Sequence, residues 1–284
     1  MPKVKILTHS GCDLTEDMVR ELDIRILPDL VAFGSENYLN NVDIHPAEFY
    51  ERIDKSGVFP SSAHPTLSDF IEAFEQAGDC DEILCIVMSS KMTSTVNTAN
   101  IAAKMVQEDN PGRKIYVYDS MQVSFGMGLA VLEAGKLARE GRSAAEIMAY
   151  LDTLVPHIGV YFVMRSLKYA HKGGRIGAIK AVGADALGVK PLLSFADGTV
   201  SDIKLNRRFS DGIREIFNCY KSRVGDDPEV FIFHACNEAD ARKLEQMILD
   251  YNPNAKTRIH WVGPVVGIYT GVGCVGISFK EKEN

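Results

Sequence analysis

One stretch of the chain decides the fold class: Ile83-Leu84-Cys85-Ile86-Val87-Met88, which leads directly into Ser89-Ser90-Lys91-Met92-Thr93-Ser94-Thr95. The first six residues are a continuous apolar run rich in Ile and Val, which is typical of a strand that is buried on both faces. The alanine-rich segment 96–107 that follows predicts a helix. A buried strand, a short polar loop and a helix in this order indicate a parallel sheet with helices packed on it.

The same order of elements repeats across the first half of the chain. Short apolar runs at residues 4–7 and 115–118 predict two more buried strands. We therefore expect an α/β domain over residues 1–155, with three layers in which a parallel sheet lies between helices. The further helical patterns in this half lie at residues 46–55, 67–74 and 129–139.

The second half of the chain combines helices with strands that are joined by a tight turn. Residues 191–196 and 199–205 flank Asp197-Gly198, a pair that is typical of the two-residue turn of a β-hairpin. We expect an α+β domain with a mixed sheet over residues 156–284. The other predicted strands lie at residues 160–164, 230–234, 258–262 and 275–280, and the predicted helices lie at residues 210–222 and 238–251 with a short one that ends at Lys172-Gly173-Gly174.

The composition excludes several classes of protein. The chain has 284 residues, and its 31 Lys and Arg against 38 Asp and Glu give a formal net charge of -7. It therefore lacks the basic excess that sequence-independent nucleic-acid binding requires. The longest apolar run is far shorter than the ~20 residues of a membrane span, and no secretory leader precedes the first strand. We expect a cytoplasmic protein without a stable membrane anchor, and the spacing of the six cysteines predicts no metal site.

Hydroxyl side chains are concentrated in two loops that precede predicted helices. Five of the seven residues in segment 89–95 carry a hydroxyl, and this loop lies at the carboxyl edge of the sheet, where parallel α/β folds bind ligands. Together with the free N–H groups of the helix start, these hydroxyls can hold an anion, and the alternative is ordinary helix capping. Ser61 and Ser62 stand in a similar position between Pro60 and Pro65, where the alternative is a proline-bounded loop.

A third candidate is the segment Lys172-Gly173-Gly174-Arg175. Its glycines permit close approach of the backbone, and Arg175 can bind a carboxylate through two parallel hydrogen bonds. The alternative is a helix C-cap that is followed by an exposed arginine.

Motifs of common enzymes are absent or out of context in this sequence. Gly271-Val272-Gly273-Cys274-Val275-Gly276 matches the dinucleotide fingerprint, but a strand follows it instead of a helix, which excludes that interpretation. The chain contains no G-x-S-x-G or H-E-x-x-H motif. We therefore assign no catalytic residue.

The order of these segments resembles the DegV family of bacterial fatty-acid-binding proteins, over roughly residues 4–279. The family's S-S-K-L-S-G-T-Y is similar to Ser89-Ser90-Lys91-Met92-Thr93-Ser94-Thr95-Val96, and its K-G-G-R stands intact at residues 172–175. Its T-S-Q-P-S becomes Ser62-Ala63-His64-Pro65-Thr66. Its late H-x-G-P-G becomes Tyr269-Thr270-Gly271-Val272-Gly273.

The resemblance implies a protein that holds one long-chain fatty acid between two domains, with residues 156–284 covering the tail and no cofactor. It also implies a partner, a fatty-acid kinase similar to dihydroxyacetone kinases, to which the bound acid is presented. Two of the implied site residues depart from the family pattern, since Ser94 replaces a glycine and Tyr269 replaces a histidine. The residues that the resemblance assigns to the carboxylate are Ser61, Ser62, Thr93, Ser94, Arg175 and Tyr269.

Two functions remain open from the sequence. The chain is either a lipid-binding carrier with no catalysis of its own, or an enzyme, a hydrolase or a phosphotransferase, that uses the same Ser and Thr cluster. Lipid extracted from the purified protein would favour the carrier, and turnover of acyl or phosphate esters would favour the enzyme.

Overall fold

The computed structural model describes residues 3–174, 188–227 and 229–283. Its strands are β1 (Val4–His9), β2 (Arg25–Leu27), β3 (Leu30–Phe33), β4 (Glu36–Leu39), β5 (Ser61–Ala63), β6 (Glu82–Val87), β7 (Lys114–Asp119), β8 (Ile158–Val163), β9 (Lys190–Ala196), β10 (Thr199–Asn206), β11 (Glu229–His234), β12 (Lys256–Trp261) and β13 (Val275–Lys280). Its helices are α1 (Glu16–Arg20), α2 (Pro46–Lys55), α3 (Leu67–Glu75), α4 (Thr95–Asp109), α5 (Ser124–Arg139), α6 (Ala144–Leu154), α7 (Lys168–Lys172), α8 (Phe209–Arg223), α9 (Glu238–Tyr251) and α10 (Pro264–Thr270). None of these helices has the length and the apolar character that a membrane span requires.

A parallel four-stranded sheet in the order β2-β1-β6-β7 organises the first half. Its strands β1, β6 and β7 are the three that the apolar runs predict, and every position of β6 is buried. Helices α3 and α4 pack on one face, over Leu7, Ile83 and Cys85. Helix α5 packs on β1 from the other face. The predicted α/β class, with a parallel sheet between helices, is confirmed.

A six-stranded mixed sheet in the order β10-β9-β8-β13-β11-β12 organises the second half. Strands β11 and β12 are parallel, and the other neighbours are antiparallel. Asp197 and Gly198 have positive φ angles of 51° and 76°, as the type I′ turn of a hairpin requires, so the predicted hairpin β9–β10 is confirmed. Helices α8 and α9 cover one face of the sheet. The mixed sheet is confirmed, and the division of the chain at residue 155 stays a prediction.

Helix α5 lies between the two sheets and packs on β1, β8 and β13. It begins at Ser124, five residues before the start predicted from sequence, because Gly126 and Gly128 weaken the helical pattern there. These glycines are needed for close packing. A Cβ atom at Gly126 would lie 2.6 Å from Cγ2 of Val160, and one at Gly128 would lie 2.9 Å from the carbonyl oxygen of Cys12.

Two segments differ from the sequence-based expectation. Residues 61–63, for which a loop was the expected alternative to a ligand site, form β5 at the edge of a small antiparallel sheet in the order β4-β3-β5. Helix α10, for which the sequence gives no prediction, lies in the glycine-containing segment before β13. Strands of three or four residues show too little alternation to be recognised. Gly267 lowers the helix propensity of α10, but a Cβ atom there would lie 2.4 Å from the Tyr50 hydroxyl of α2.

Candidate functional site

A cavity of about 400 Å³ lies between the parallel sheet and the mixed sheet. This volume falls in the range of small-molecule sites, ~300–1,000 Å³. Most of the wall is apolar. The mixed sheet contributes Val160, Phe162, Leu193, Phe195, Val200 and Phe233 to it.

The two-residue period of the strands explains why the mixed sheet has one apolar face for the cavity and another for helices. In β8, Val160 and Phe162 line the cavity, whereas Tyr161 and Val163 point to the opposite face and pack in the cluster under α8 and α9. The sheet is therefore apolar on both faces. Helices alone cover one face, whereas the other face lines the cavity.

The hairpin β9–β10 closes one side of the cavity by resting on the loop that follows β6. The Ser89 hydroxyl donates to the carbonyl oxygen of Gly198 at 2.6 Å, and the Lys91 ammonium donates to the carbonyl oxygen of Asp197 at 2.7 Å. Gly198 permits this approach, since a Cβ atom there would lie 2.7 Å from the Ser89 hydroxyl. Part of the hydroxyl-rich loop thus joins the two sheets.

One end of the cavity is lined by half-buried or exposed hydroxyl and imidazole groups, which we call the open cluster: Ser62, His64, Thr93, Ser94 and Tyr269. Its members pair with one another or with a neighbouring threonine. The hydroxyls of Ser62 and Tyr269 lie 3.1 Å apart, and Nε2 of His64 lies 3.0 Å from Oγ of Ser94. The hydroxyl of Thr93 lies 2.8 Å from that of Thr95 and also accepts the Thr95 N–H at 3.3 Å.

The turn after α7 packs directly on this end of the cavity. A Cβ atom at Gly173 would lie 2.5 Å from Cδ1 of Tyr269, so only a glycine fits between the turn and the ring. This glycine segment therefore packs closely on the tyrosine of the open cluster.

A second group of polar side chains near the cavity is fully buried and internally bonded, and we call it the closed cluster: His9, Ser10 and Asp29. The Asp29 carboxylate accepts hydrogen bonds from Nδ1 of His9, from the Ser10 hydroxyl and from the N–H of Gly11, at 2.7–3.0 Å. The Met88 N–H donates to Nε2 of His9 at 3.1 Å. Because a backbone N–H can only donate, Nε2 carries no proton, and this His9 ring is neutral.

A buried carboxylate beside the closed cluster joins three distant parts of the chain. Asp13 accepts a hydrogen bond from the Ser124 hydroxyl at 2.5 Å and another from the N–H of Gly263 at 3.1 Å. Burial raises the pKa of the Asp13 carboxyl to about 7 against these two hydrogen bonds, and the charge of Asp29 raises it further. Ser124 lines the cavity, but its hydroxyl is used in this contact.

The structure brings four of the six predicted carboxylate-binding residues together at one end of the cavity: Ser62, Thr93, Ser94 and Tyr269. Ser61 does not join them: it is exposed, and it is not among the residues that line the cavity. Arg175 lies outside the described residues. Ser62 is held by a strand and not by a loop before a helix, since β5 pairs with β3.

His64 and Asp29 are two of the polar lining residues that were not predicted as site residues. His64 stands alone between Ala63 and Pro65, and a lone histidine is usually structural. Asp29 had no signal at all, because it lies between two short strands that the sequence does not predict. Among the described residues, no group of three or more His, Cys, Asp or Glu side chains is arranged to hold a metal ion.

Comparison with known proteins gives one consistent result. A family model described as "Uncharacterised protein, DegV family" matches residues 3–282. A DegV domain-containing protein of Clostridium acetobutylicum is 30% identical over 284 residues, which cover 99% of this chain and 100% of that protein.

Solved structures extend this similarity to the fold. A DegV family protein from Thermus thermophilus, reported for its fatty acid binding, is 27% identical with a TM-score of 0.88, covering 99% of this chain and 100% of that one. The Streptococcus pneumoniae fatty acid kinase B3 protein, solved with linoleic acid, is 19% identical with a TM-score of 0.84 and the same coverage. At that identity the second match supports the fold alone.

Proposed function

This chain belongs to the DegV family, and we propose that it binds one long-chain fatty acid in the cavity between its sheets and catalyses no reaction alone. The observation that carries the proposal is the cavity of about 400 Å³ with apolar walls and one hydroxyl-lined end. A fatty acid has the same division between an apolar tail and a polar head. The fatty-acid ligands of the solved DegV structures support this ligand class.

The apolar wall suits the tail on energetic grounds. Each buried methylene contributes ~0.8 kcal/mol, so a chain of about 16 carbons offers on the order of 10 kcal/mol before the cost of association. The carboxylate must then be fully hydrogen-bonded, because an unpaired buried charge is very unfavourable.

The open cluster can provide those hydrogen bonds. The hydroxyls of Thr93 and Thr95 have two hydrogens and use one between them, so the other can be donated to a carboxylate. The hydroxyls of Ser62 and Tyr269 lie 3.1 Å apart and line the same cavity. We propose Ser62, Thr93, Ser94 and Tyr269 as head-group residues, and Arg175 as the cation that joins them.

The role of Arg175 can be measured separately. Arg175→Ala should weaken fatty-acid binding by roughly 1.5–3 kcal/mol, the usual size of a charge-assisted hydrogen bond. A fluorescent fatty-acid titration measures this loss, and an unchanged dissociation constant would assign Arg175 to the helix end alone.

The closed cluster argues against the enzyme alternative. His9 and Asp29 line the cavity as a histidine–carboxylate pair, but both ring nitrogens of His9 are bonded to protein groups. His9 is therefore not available as a general base.

We propose that the bound acid is presented to a cytoplasmic fatty-acid kinase similar to dihydroxyacetone kinases. Acyl phosphate, trapped as its hydroxamate, should form only when such a kinase is added to the loaded protein with ATP.

Extraction of the protein as purified from cells tests the function directly. Mass spectrometry should find about one fatty acid for each chain. Val200→Phe adds volume inside the cavity and should reduce this ratio strongly. Ile203→Phe changes an exposed side chain of the same strand and should leave the ratio unchanged. A lipid-free wild type that also fails to bind added fatty acid would overturn the proposal, and ester hydrolysis by that protein would support the enzyme.

A further inference from the structure

The contacts of His64 determine which ring nitrogen carries the hydrogen when the ring is neutral. This residue lies between β5 and α3, lines the polar end of the cavity and is half-buried. Its Nδ1 lies 2.9 Å from the carbonyl oxygen of Pro65. A carbonyl oxygen can only accept, so Nδ1 carries the hydrogen in the neutral ring.

The other ring nitrogen of His64 then decides what Ser94 offers to the cavity. Nε2 of the neutral ring is an acceptor, and Oγ of Ser94 lies 3.0 Å from it, so the Ser94 hydroxyl donates its single hydrogen to the ring. Only the lone pairs of Ser94 are left for a ligand. A protonated His64 donates from Nε2 instead, and Ser94 becomes free to donate its hydrogen into the cavity.

Among the described residues at the polar end, His64 is the group that can gain a proton when an anion binds. No Lys or Arg is among the cavity-lining residues that the structure describes. His9 is held neutral between Met88 and Asp29. In His64, by contrast, Nε2 is paired with the Ser94 hydroxyl, which can either donate or accept a hydrogen bond.

The charged groups on the elements around His64 are engaged elsewhere. At the start of α3, the Asp69 carboxylate accepts hydrogen bonds from the N–H and hydroxyl of Thr66. In the loop before α4, the Lys91 ammonium donates to the carbonyl oxygen of Asp197. At the end of α7, the Lys172 ammonium lies 5.5 Å from the centre of the Phe59 ring. On α10, Tyr269 is the titratable side chain, and its hydroxyl lies beside Ser62.

We propose that binding of an anionic carboxylate in this cavity adds a proton to Nε2 of His64 and reverses its hydrogen bond with Ser94. The proton comes from solvent, and no covalent bond changes. The Ser94 hydroxyl then donates to the carboxylate, while the charge of the imidazolium offsets that of the ligand. The inference rests on the proposed function and makes the site selective for anionic over neutral head groups.

Proton uptake measured by calorimetry tests this inference. Tetradecanoate is titrated into delipidated protein at pH 7.5, where an ordinary histidine is mostly neutral, in buffers that differ in ionisation enthalpy. Wild type should take up about 0.4 proton for each ligand, the uptake that a rise of one pKa unit above the ordinary histidine value gives at this pH. Its affinity should fall about tenfold from pH 6 to pH 8.5, the change that corresponds to one pKa unit.

Two controls separate His64 from the rest of the site. His64→Gln keeps a polar group of similar size that cannot titrate, and it should bind tetradecanoate without proton uptake and with little pH dependence. Tetradecanol, which has no carboxylate, should bind to wild type without proton uptake.

The possible outcomes distinguish this inference from the proposed function. Equal proton uptake by wild type and His64→Gln would overturn the role of His64 and leave fatty-acid binding intact. Binding by wild type without any uptake would overturn it as well. Failure of wild type to bind tetradecanoate at any pH would overturn the proposed function itself.

Discussion

The closed cluster and the open cluster use similar side chains at the same cavity, but they have different partners. In the closed cluster, a histidine, a serine and an aspartate bond to each other and to the backbone N–H groups of Gly11 and Met88. In the open cluster, a histidine and several hydroxyls bond mainly to other hydroxyls. A backbone N–H cannot change its role, whereas a hydroxyl can donate or accept.

Burial follows the same division. His9, Ser10 and Asp29 are 1–2% exposed, whereas Ser62 and Tyr269 are half-buried. Removal of a buried partner leaves unpaired donors, and removal of a half-buried hydroxyl lets water replace it. We therefore propose that the closed cluster stabilises the fold and that the open cluster serves the ligand.

Asp29→Ala should destabilise the protein by roughly 3–5 kcal/mol. The substitution leaves Nδ1 of His9, the Ser10 hydroxyl and the Gly11 N–H buried without an acceptor. Denaturant unfolding measures the loss. Glu51→Gln serves as the control, because it removes only an exposed ion pair with Lys55 and should leave the free energy of unfolding nearly unchanged. A loss of unfolding free energy for Asp29→Ala as small as that of the control would contradict the proposed difference between the clusters.

Asp13 should make the stability of the protein depend on pH. Burial holds its pKa at about 7 in the folded state, against 3.8 as the ordinary value, so the folded state binds the proton more tightly between these limits. The stabilisation is complete below pH 3.8 and is lost as the pH rises through about 7. The free energy of unfolding of wild type, relative to Asp13→Asn, should therefore fall by about 2 kcal/mol from pH 5 to pH 7.

The test compares urea unfolding of both proteins at each pH. Other groups titrate equally in the two proteins, so their contributions cancel in the difference. The difference should level off above pH 8. A difference that rises with pH would mean that the Ser124 and Gly263 hydrogen bonds outweigh burial at Asp13.

The sequence predicts the long elements well and the geometry of the site only in part. Strand β6 and helices α4 and α9 follow from periodicity, because continuous apolar runs and helical faces are local properties of the chain. The hairpin at Asp197-Gly198 follows from turn chemistry. The division of the chain at residue 155 and the roles of the site residues stay predictions.

Long-range pairing is what the sequence could not provide. The contact between Ser62 and Tyr269 joins residues that are 207 positions apart, and Asp29, which contacts Ser10, lies between two unpredicted short strands. Ser10 and Ser62 therefore differ in role only because the fold gives them different partners.

Ser10→Ala and Ser62→Ala form a matched pair for the two clusters. Ser10 both donates to the Asp29 carboxylate and accepts the Asp29 N–H, so its loss should cost about 2 kcal/mol of stability with little change in fatty-acid affinity. Ser62→Ala should reduce affinity by about 1–2 kcal/mol and change stability by less than about 0.5 kcal/mol. Melting curves and a fluorescent fatty-acid titration on both variants give the four values. The reverse pattern would exchange the assignments of the two clusters.

Thr93→Val is the smallest and sharpest test, because Thr93 has features of both clusters. Its hydroxyl is beside the cavity, but it also accepts the N–H of Thr95 in the first turn of α4 at 3.3 Å. Valine keeps the shape of threonine and removes only the hydroxyl. A long hydrogen bond at a helix start should be worth about 0.5 kcal/mol of stability.

If the Thr93 hydroxyl also binds the ligand, affinity should fall by about 1 kcal/mol, and the loss should be non-additive with Ser62→Ala because both side chains contact one carboxylate. The same titration and melting measurements apply, with the double variant included. A stability loss near 1 kcal/mol with unchanged affinity would assign Thr93 to helix capping alone. The open cluster would then consist of the Ser62–Tyr269 and His64–Ser94 pairs, which are the ones whose bonds involve no backbone N–H.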